Sequence, residues 1–144
     1  MKIREFRDDD LDAVIGLWQR CDLTRPWNPP ERDIEFCRRS GHGTLFVGEV
    51  DGRIAGSVMA GHDGHRGWVY YVAVDPAARR DGRGRALMAH AEQWLAAQGV
   101  PKVMLLIRET NTAVADFYAR LGYAVEPRVL MTKRLDGRGD GQVI

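Results

Sequence analysis

The stretch Arg79-Arg80-Asp81-Gly82-Arg83-Gly84 combines residue types and spacing that could do chemistry. It follows a nearly unbroken aromatic and β-branched run, Trp68 to Val74, and it leads into an amphipathic pattern. Two glycines one residue apart let a backbone turn its N–H groups inward and approach a ligand closely. A helix starting there adds the positive end of its dipole. Arg79, Arg80, Arg83 and Arg85 stand against a single carboxylate, Asp81. These features describe a cradle for a polyanion, most naturally a pyrophosphate. A glycine turn with a solvated arginine face is the plainer alternative. It leaves positive charge crowded where the helix dipole opposes it, a conflict that a bound anion removes. Dinucleotide and Walker readings fail on spacing, with no GxGxxG after the first strand and no GxxxxGK[ST]. His62 and His65 have no further ligands beside them, so no metal is expected.

The elements that must position this loop can be read from periodicity. Lys2 to Arg7 alternates as a short strand, and Asp8, Asp9 and Asp10 are placed to start a helix running to about Cys21. Asp22 to Pro30 is a loop with three prolines, and Glu31 to Arg39 a second helix begun by Pro30. Thr44 to Val50 and Arg53 to Ala60 form a hairpin around Asp51-Gly52. Gly61 to Gly67 is a glycine-rich polar loop. Trp68 to Val74 is a central strand that Pro76 ends. Gly84 to Gln98 is an amphipathic helix stopped by Gly99. Lys102 to Ile107 is a buried strand, Thr112 to Leu121 a helix ended by Gly122, and Val125 to Arg134 a last strand. The order is β-α-α-β-β-β-α-β-α-β, an α/β chain with a mixed sheet and helices on both faces. A single domain over 1–135 is expected, with 136–144 a fraying tail.

Composition narrows the classes. The 144 residues are 44% hydrophobic and 28% charged, ordinary for a globular chain. Lys plus Arg is 21 and Asp plus Glu is 20, a net charge of +1 that argues against a nucleic-acid partner. No apolar run is long enough to span a bilayer, the N-terminus lacks a signal core, and Cys21 and Cys37 are too few for a disulfide scaffold. A cytoplasmic protein with reduced thiols and no membrane partner is the expectation.

The R-x-x-G-x-G loop after a strand ending Val74-Asp75-Pro76 resembles motif A of the GNAT superfamily, the acetyl-CoA-dependent N-acetyltransferases. Asn111 followed by FYARLGY, Phe117 to Tyr123, is similar to the family's second signature, and the element order matches from Lys2 to about Arg134. CDLTRPWN, Cys21 to Asn28, and DGHRG, Asp63 to Gly67, further resemble the bacterial YpeA-like branch. The resemblance implies a GNAT-like fold in which the fourth strand splays from the fifth, with pantetheine in the gap beside Val72, Ala73 and Val74. It implies that backbone N–H groups from Arg80 to Arg85, with Arg79 beside them, hold the pyrophosphate of acetyl-CoA. It also implies that Asn111 bonds the pantetheine arm, that Tyr118 lies by the thioester sulfur, and that a homodimer is an option.

Acetyl transfer needs a neutral amine and a proton for the departing thiolate. A thiol titrates near roughly 8.5 and a tyrosine near about 10, so Tyr118 is a plausible acid. The base is where the pattern breaks. Some branches carry a strand-five glutamate two residues before an arginine; here Leu106 precedes Arg108. Others use strand four, but Trp68 to Val74 holds no carboxylate. His65 and Asp63 are the leading loop candidates, with Glu109, Tyr70 or Tyr71 as others. The acceptor would meet Asp22, Arg25, Trp27 and Asn28 of one loop and Arg66 of another. These five could instead anchor their loops, the charges pairing with each other. The expected function is N-acetyl transfer by direct attack of a primary amine, on a protein N-terminus or a small molecule. The rival is a catalytically weak acyl-CoA-binding sensor, favoured by the missing strand glutamates.

Overall fold

A computed structural model describes residues 1–79 and 81–137. The expected placement of Arg80, and of the tail from 138 to 144, lies outside the described residues. The chain divides into two compact units, Met1–Leu105 and Leu106–Ile144.

The first unit carries the sheet. Strands β1 (Lys2–Glu5), β2 (Gly43–Val50), β3 (Arg53–His62), β4 (Gly67–Val74) and β5 (Val103–Met104) lie in sequence order. The first three pairings are antiparallel and β4–β5 is parallel, joined by the crossover helix α3 (Arg83–Ala97). Helices α1 (Leu11–Arg20) and α2 (Pro30–Arg39) follow β1. The alternation of β2 sets the two faces. Leu45 and Val47 join Val14, Leu17, Trp18 and Ile34 of α1 and α2 in one core. Phe46 between them packs edge-on against His90 of α3, 4.5 Å between ring centres. The expected hairpin turn is present, with Asp51 and Gly52 both at positive φ.

Three aspartates precede α1, but they form a 3-10 turn, Asp8–Asp10, and only Asp10 is buried. Its carboxylate takes two bonds from the Arg4 guanidinium, at 2.7 and 2.9 Å, and one from the Arg7 N–H at 2.7 Å. Arg4 reaches on to Glu49 of β2 at 2.7 Å. The charge of Arg4 and these hydrogen bonds hold the Asp10 carboxyl below the usual carboxylate range. This network fastens the start of α1 to the outer edge of the sheet.

The second unit contains α4 (Thr112–Arg120). The strand expected from Val125 to Arg134 does not form; the sheet of the described residues has five strands, and 125–134 is irregular. Val125, Val129, Leu130 and Met131 are exposed rather than paired. Apolar alternation shows that a segment suits a sheet, but a strand also needs a partner edge for its N–H and C=O groups. Pro127 further removes a donor from the middle of the run. β5 is also shorter than the expected Lys102–Ile107, because its parallel pairing to β4 ends at Trp68↔Met104. Among the described residues no helix is long and apolar enough to cross a membrane.

Removing Asp10 leaves Arg4 with Glu49 alone and takes the acceptor from the Arg7 N–H, a loss of charge-assisted hydrogen bonds worth about 1.5–3 kcal/mol. Asp10→Ala should therefore destabilise the fold by about 2 kcal/mol in urea unfolding at neutral pH. The native carboxyl is depressed, so its contribution is present above the unfolded value, near roughly 3.9, and is lost as pH falls through the native value. The difference between wild type and Asp10→Ala should shrink across that acid window.

Candidate active site

The glycine loop folds as its residue types suggest. Gly82 sits at φ +70° as the N-cap of α3, and a Cβ there would meet nothing within 4 Å. The first turn of α3 has neither a side-chain cap nor an acidic residue. Its N–H groups thus face a space that no side chain of the helix fills. Two of the arginines brace the loop. Arg83 donates to the Ala78 carbonyl at 2.6 Å and lies 3.5 Å from Asp81. Arg79 donates to the Val74 carbonyl at 3.0 Å. The turn before them is held by Asp75, which caps Ala77 at 3.0 Å and pairs with Arg20 of α1 at 2.9 Å. The uncapped helix start and the open face at Gly82 fit a pyrophosphate held by backbone donors.

β4 runs six residues past its last pair with β5, so its outer edge beyond Trp68 is unpaired by β5. That is the splay the resemblance implied, and it includes Val72, Ala73 and Val74. On its inner side β4 carries a bulge. Met59 pairs with Tyr70 and Ser57 with Ala73, so Tyr71 and Val72 together oppose Val58. Tyr71 takes φ +52°, a strained conformation for an aromatic residue that costs about 1–3 kcal/mol. Its ring stacks on Trp18 with centres 3.7 Å apart and planes at 9°. The Trp18 indole N–H donates to Ser57 Oγ at 2.9 Å, and Ser57 donates to the Tyr71 carbonyl at 2.7 Å.

The Tyr71 hydroxyl donates to Asp33 Oδ2 at 2.6 Å, and the Asn28 side-chain amide donates to the same oxygen, also at 2.6 Å. Burial, with the bond to Asp33, pushes the Tyr71 phenol up. Tyr71 is therefore a held donor and a poor base. Sequence reasoning missed Asp33, Ser57 and Trp18; the partners lie 38, 14 and 39 positions apart, and no local pattern links them.

The remaining loop candidates are largely occupied. Asp22, at φ +57°, pairs with Arg25 at 3.4 Å, and Arg25 also donates to the Thr24 carbonyl at 2.7 Å. Trp27 is half-buried in the same loop. Asp63 accepts from the N–H groups of His65 and Arg66 at 2.9 and 2.8 Å, and these bonds hold its carboxyl down at about 2. A carboxylate so stabilised is a weak proton acceptor. Arg66 donates to the His65 carbonyl at 3.0 Å, and the His65 side chain is exposed. Among the described residues no group of three His, Cys, Asp or Glu could hold a metal ion.

In the second unit, Asn111 is the N-cap of α4, its oxygen accepting from Val114 N–H at 3.3 Å. Tyr118 is buried between the rings of Phe117 and Tyr123, at 4.9 and 5.8 Å, and burial pushes its phenol up to about 12. No buried side-chain oxygen or nitrogen among the described residues lacks a partner. The Tyr118 hydroxyl, which makes no hydrogen bond there, therefore reaches the surface.

A mixed sheet with a splayed fourth strand, a glycine-opened crossover helix and this second unit define a class. The chain belongs to the GNAT acetyltransferase family, whose model matches residues 8–123, and it is an acetyltransferase. It is 49% identical over 135 residues to an acetyltransferase of Pectobacterium atrosepticum, covering 94% of this chain and 96% of that one. An acetyltransferase of Yersinia pseudotuberculosis is 47% identical over the same shares. Among solved structures, an aminoglycoside N-acetyltransferase in complex with CoA matches with a TM-score of 0.77 at 19% identity, covering 93% of this chain and 99% of that one. An acetyltransferase of Trypanosoma brucei matches with a TM-score of 0.71 at 26% identity, covering 92% and 99%.

Gly82→Val would place a β-branched side chain at a left-handed position and fill the open face. The variant should lose measurable acetyl-CoA binding by calorimetry while its circular dichroism spectrum is retained. Unchanged affinity in the folded variant would remove the cradle.

Proposed function

We propose that the protein transfers the acetyl group of acetyl-CoA to a primary amine by direct attack. The observation that carries this reading is the uncapped start of α3 with Gly82 open before it. Backbone N–H groups of 81–85 hold the pyrophosphate, assisted by the charge of Arg80 and Arg85. The free edge of β4 at Val72–Val74 receives the pantetheine arm. Acetyl-CoA supplies an activated thioester carbonyl. The neutral amine attacks that carbonyl and gives up one proton to His65 or to water; the C–S bond breaks, and the thiolate of CoA leaves with a proton from Tyr118, whose phenolate regains one from solvent.

The Tyr118 hydroxyl suits this role as a proton held in reserve. Its raised pKa keeps it protonated throughout the neutral range. It is also a weaker acid than an ordinary tyrosine and than the thiol it would form, near roughly 8.5, so the transfer to sulfur is uphill and is drawn on by reprotonation of the phenolate. Tyr118→Phe should lower kcat by roughly 10²–10⁴ with little change in acetyl-CoA affinity. Near-full turnover in that variant would leave Tyr118 a packing residue.

The acceptor is a primary amine of a protein N-terminus or a small molecule. With Leu106 in place of a strand glutamate and Asp63 fixed as an anion, His65 is the base we assign, with Glu109 as the other loop carboxylate left. Deprotonating a lysine at pH 7 costs about 4.6 kcal/mol, against roughly 1 kcal/mol for an α-amine. Paired peptides should therefore show faster acetylation of the α-amine. The pH–rate limb should follow the acceptor or disappear in His65→Ala, and Asp63→Ala should leave it in place. Faster lysine acetylation, with a limb near pH 7 that survives His65→Ala, would point to another base.

A further inference from the structure

The irregular segment after α4 carries the most exposed large apolar side chains among the described residues. Val125, Val129, Met131 and Leu135 are between 88% and 93% exposed, and Leu130 is 62% exposed. The first four are odd-numbered, so an extended backbone would stand them on one face, with Pro127 and Lys133 between them. Glu126, Arg128, Thr132 and Arg134 share the other face with Leu130. Single exposed apolar residues are ordinary, but a run of them with a period of two is a surface that fits something. Pro127 also biases Glu126 toward extended backbone.

The segment is complementary to itself. Laid antiparallel on a second copy with a twofold axis at Leu130, it sets Val129 against Met131, Leu130 against Leu130 and Val125 against Leu135. The same register sets Glu126 against Arg134, Arg128 against Thr132 and Lys133 against Pro127, so no like charges stand opposite. Within one chain Glu126 already lies 3.6 Å from Arg128, and Arg134 lies 2.8 Å from Asp136. The cross-strand contact joins these two pairs into a row of alternating sign. Pro127 needs a position that donates nothing to the ladder. The phase that gives it one makes Val129 and Met131 a non-hydrogen-bonded pair, where side chains approach most closely. Other registers fail. An axis one residue earlier sets Arg128 against Leu130 and Val125 against Lys133. One residue later it sets Arg128 against Arg134 and Glu126 against Asp136. An axis between two residues lays the apolar face of one copy beside the polar face of the other.

We propose that 125–135 is an interaction strand whose partner is the same segment of a second copy, paired antiparallel about a twofold axis at Leu130. The contact is isologous, so each favourable pair off the axis occurs twice. Pairing gives each segment the edge it lacks within its own unit and covers apolar side chains that one chain leaves in water. A single two-stranded ladder is small for a lasting interface, so the association depends on concentration.

Two measurements on the full chain test the proposal. In sedimentation velocity the wild type should pass from monomer to dimer as its concentration rises through the micromolar range. Glu126→Arg and Arg134→Glu each set like charges opposite at both ends of the ladder, and each should raise the dimer dissociation constant roughly 10-fold. An equimolar mixture of the two variants should recover the dimer, because every arginine then meets a glutamate across the axis. In the second measurement, Leu130→Cys places two thiols on the axis with their Cα atoms about 5.5 Å apart, within reach of a disulfide. Mild oxidation should link 130 to 130, mapped by peptide mass spectrometry. Thr132→Cys, whose two copies stand about 13 Å apart along the ladder, should not link. A chain that stays monomeric at every concentration overturns the proposal, including one whose amides at 125–134 are protected from exchange by pairing within the chain. A dimer indifferent to both charge reversals overturns it, as does a mixture no tighter than either variant alone. Cross-linking of Thr132→Cys as readily as Leu130→Cys overturns the register and with it the interface.

Discussion

The stack of Trp18 on Tyr71 is the contact on which the central part of the molecule depends. It joins the buried face of α1 to the point where β4 leaves regular geometry. An aromatic residue at positive φ costs about 1–3 kcal/mol and persists only when its surroundings fix it. Here three interactions do so: the ring contact, the Ser57 bond to the carbonyl and the Asp33 bond to the hydroxyl. Trp18 serves twice, since its indole N–H also orients Ser57. The bulge lies on one edge of β4, and the free edge lies on the other. The same strand therefore presents side chains toward α1 and α2 and an unpaired backbone on its outer side.

The two charged systems of the first unit work differently. The Arg4–Asp10–Glu49 network pairs one guanidinium with two carboxylates and serves stability. The arginines at the start of α3 are arranged against the helix dipole, and two of them are tied down: Arg79 to the Val74 carbonyl at the end of β4 and Arg83 to the Ala78 carbonyl. Positive charge near the loop is thereby held in shape before any ligand arrives. The recognition groups can then be backbone donors, which need no rotamer search to bind.

Much of this was legible in the sequence because it is local. Glycine at the left-handed position before a helix, the Asp51-Gly52 turn and the amphipathic α3 each announce themselves within a few residues. The element order followed from periodicity as far as α4. The last strand was misread because alternation in 125–134 describes what a strand could bury and not whether an edge is there to receive it. The site was legible in part. Its glycines and arginines form a contiguous motif, but Asp33 looks like an ordinary acid in the first turn of a helix. Its meaning arises only when a strand nearly forty positions later delivers a hydroxyl to it. Asp63 shows the converse. Its sequence context suggested a base, while its backbone bonds make it the fastening of a turn.

The bulge in β4 also fixes the parity of the strand. Tyr70 pairs with Met59, which belongs to the core under α1 and α2, and Tyr71 stacks on Trp18 of α1; two successive side chains thus turn to one face. From Ala73 onward the alternation resumes out of phase with the first half of the strand. Counting forward from Gly67, an unbroken strand would send Ala73 to the α3 side, yet Ala73 is packed in the α1 core. Losing one residue at 71 or 72 would leave a single residue opposite Val58 and restore regular alternation, with both halves of β4 keeping the faces they have now. What would vanish is the place where two successive side chains share the α1 face, so the extra residue serves the Tyr71 ring and not the register of the strand.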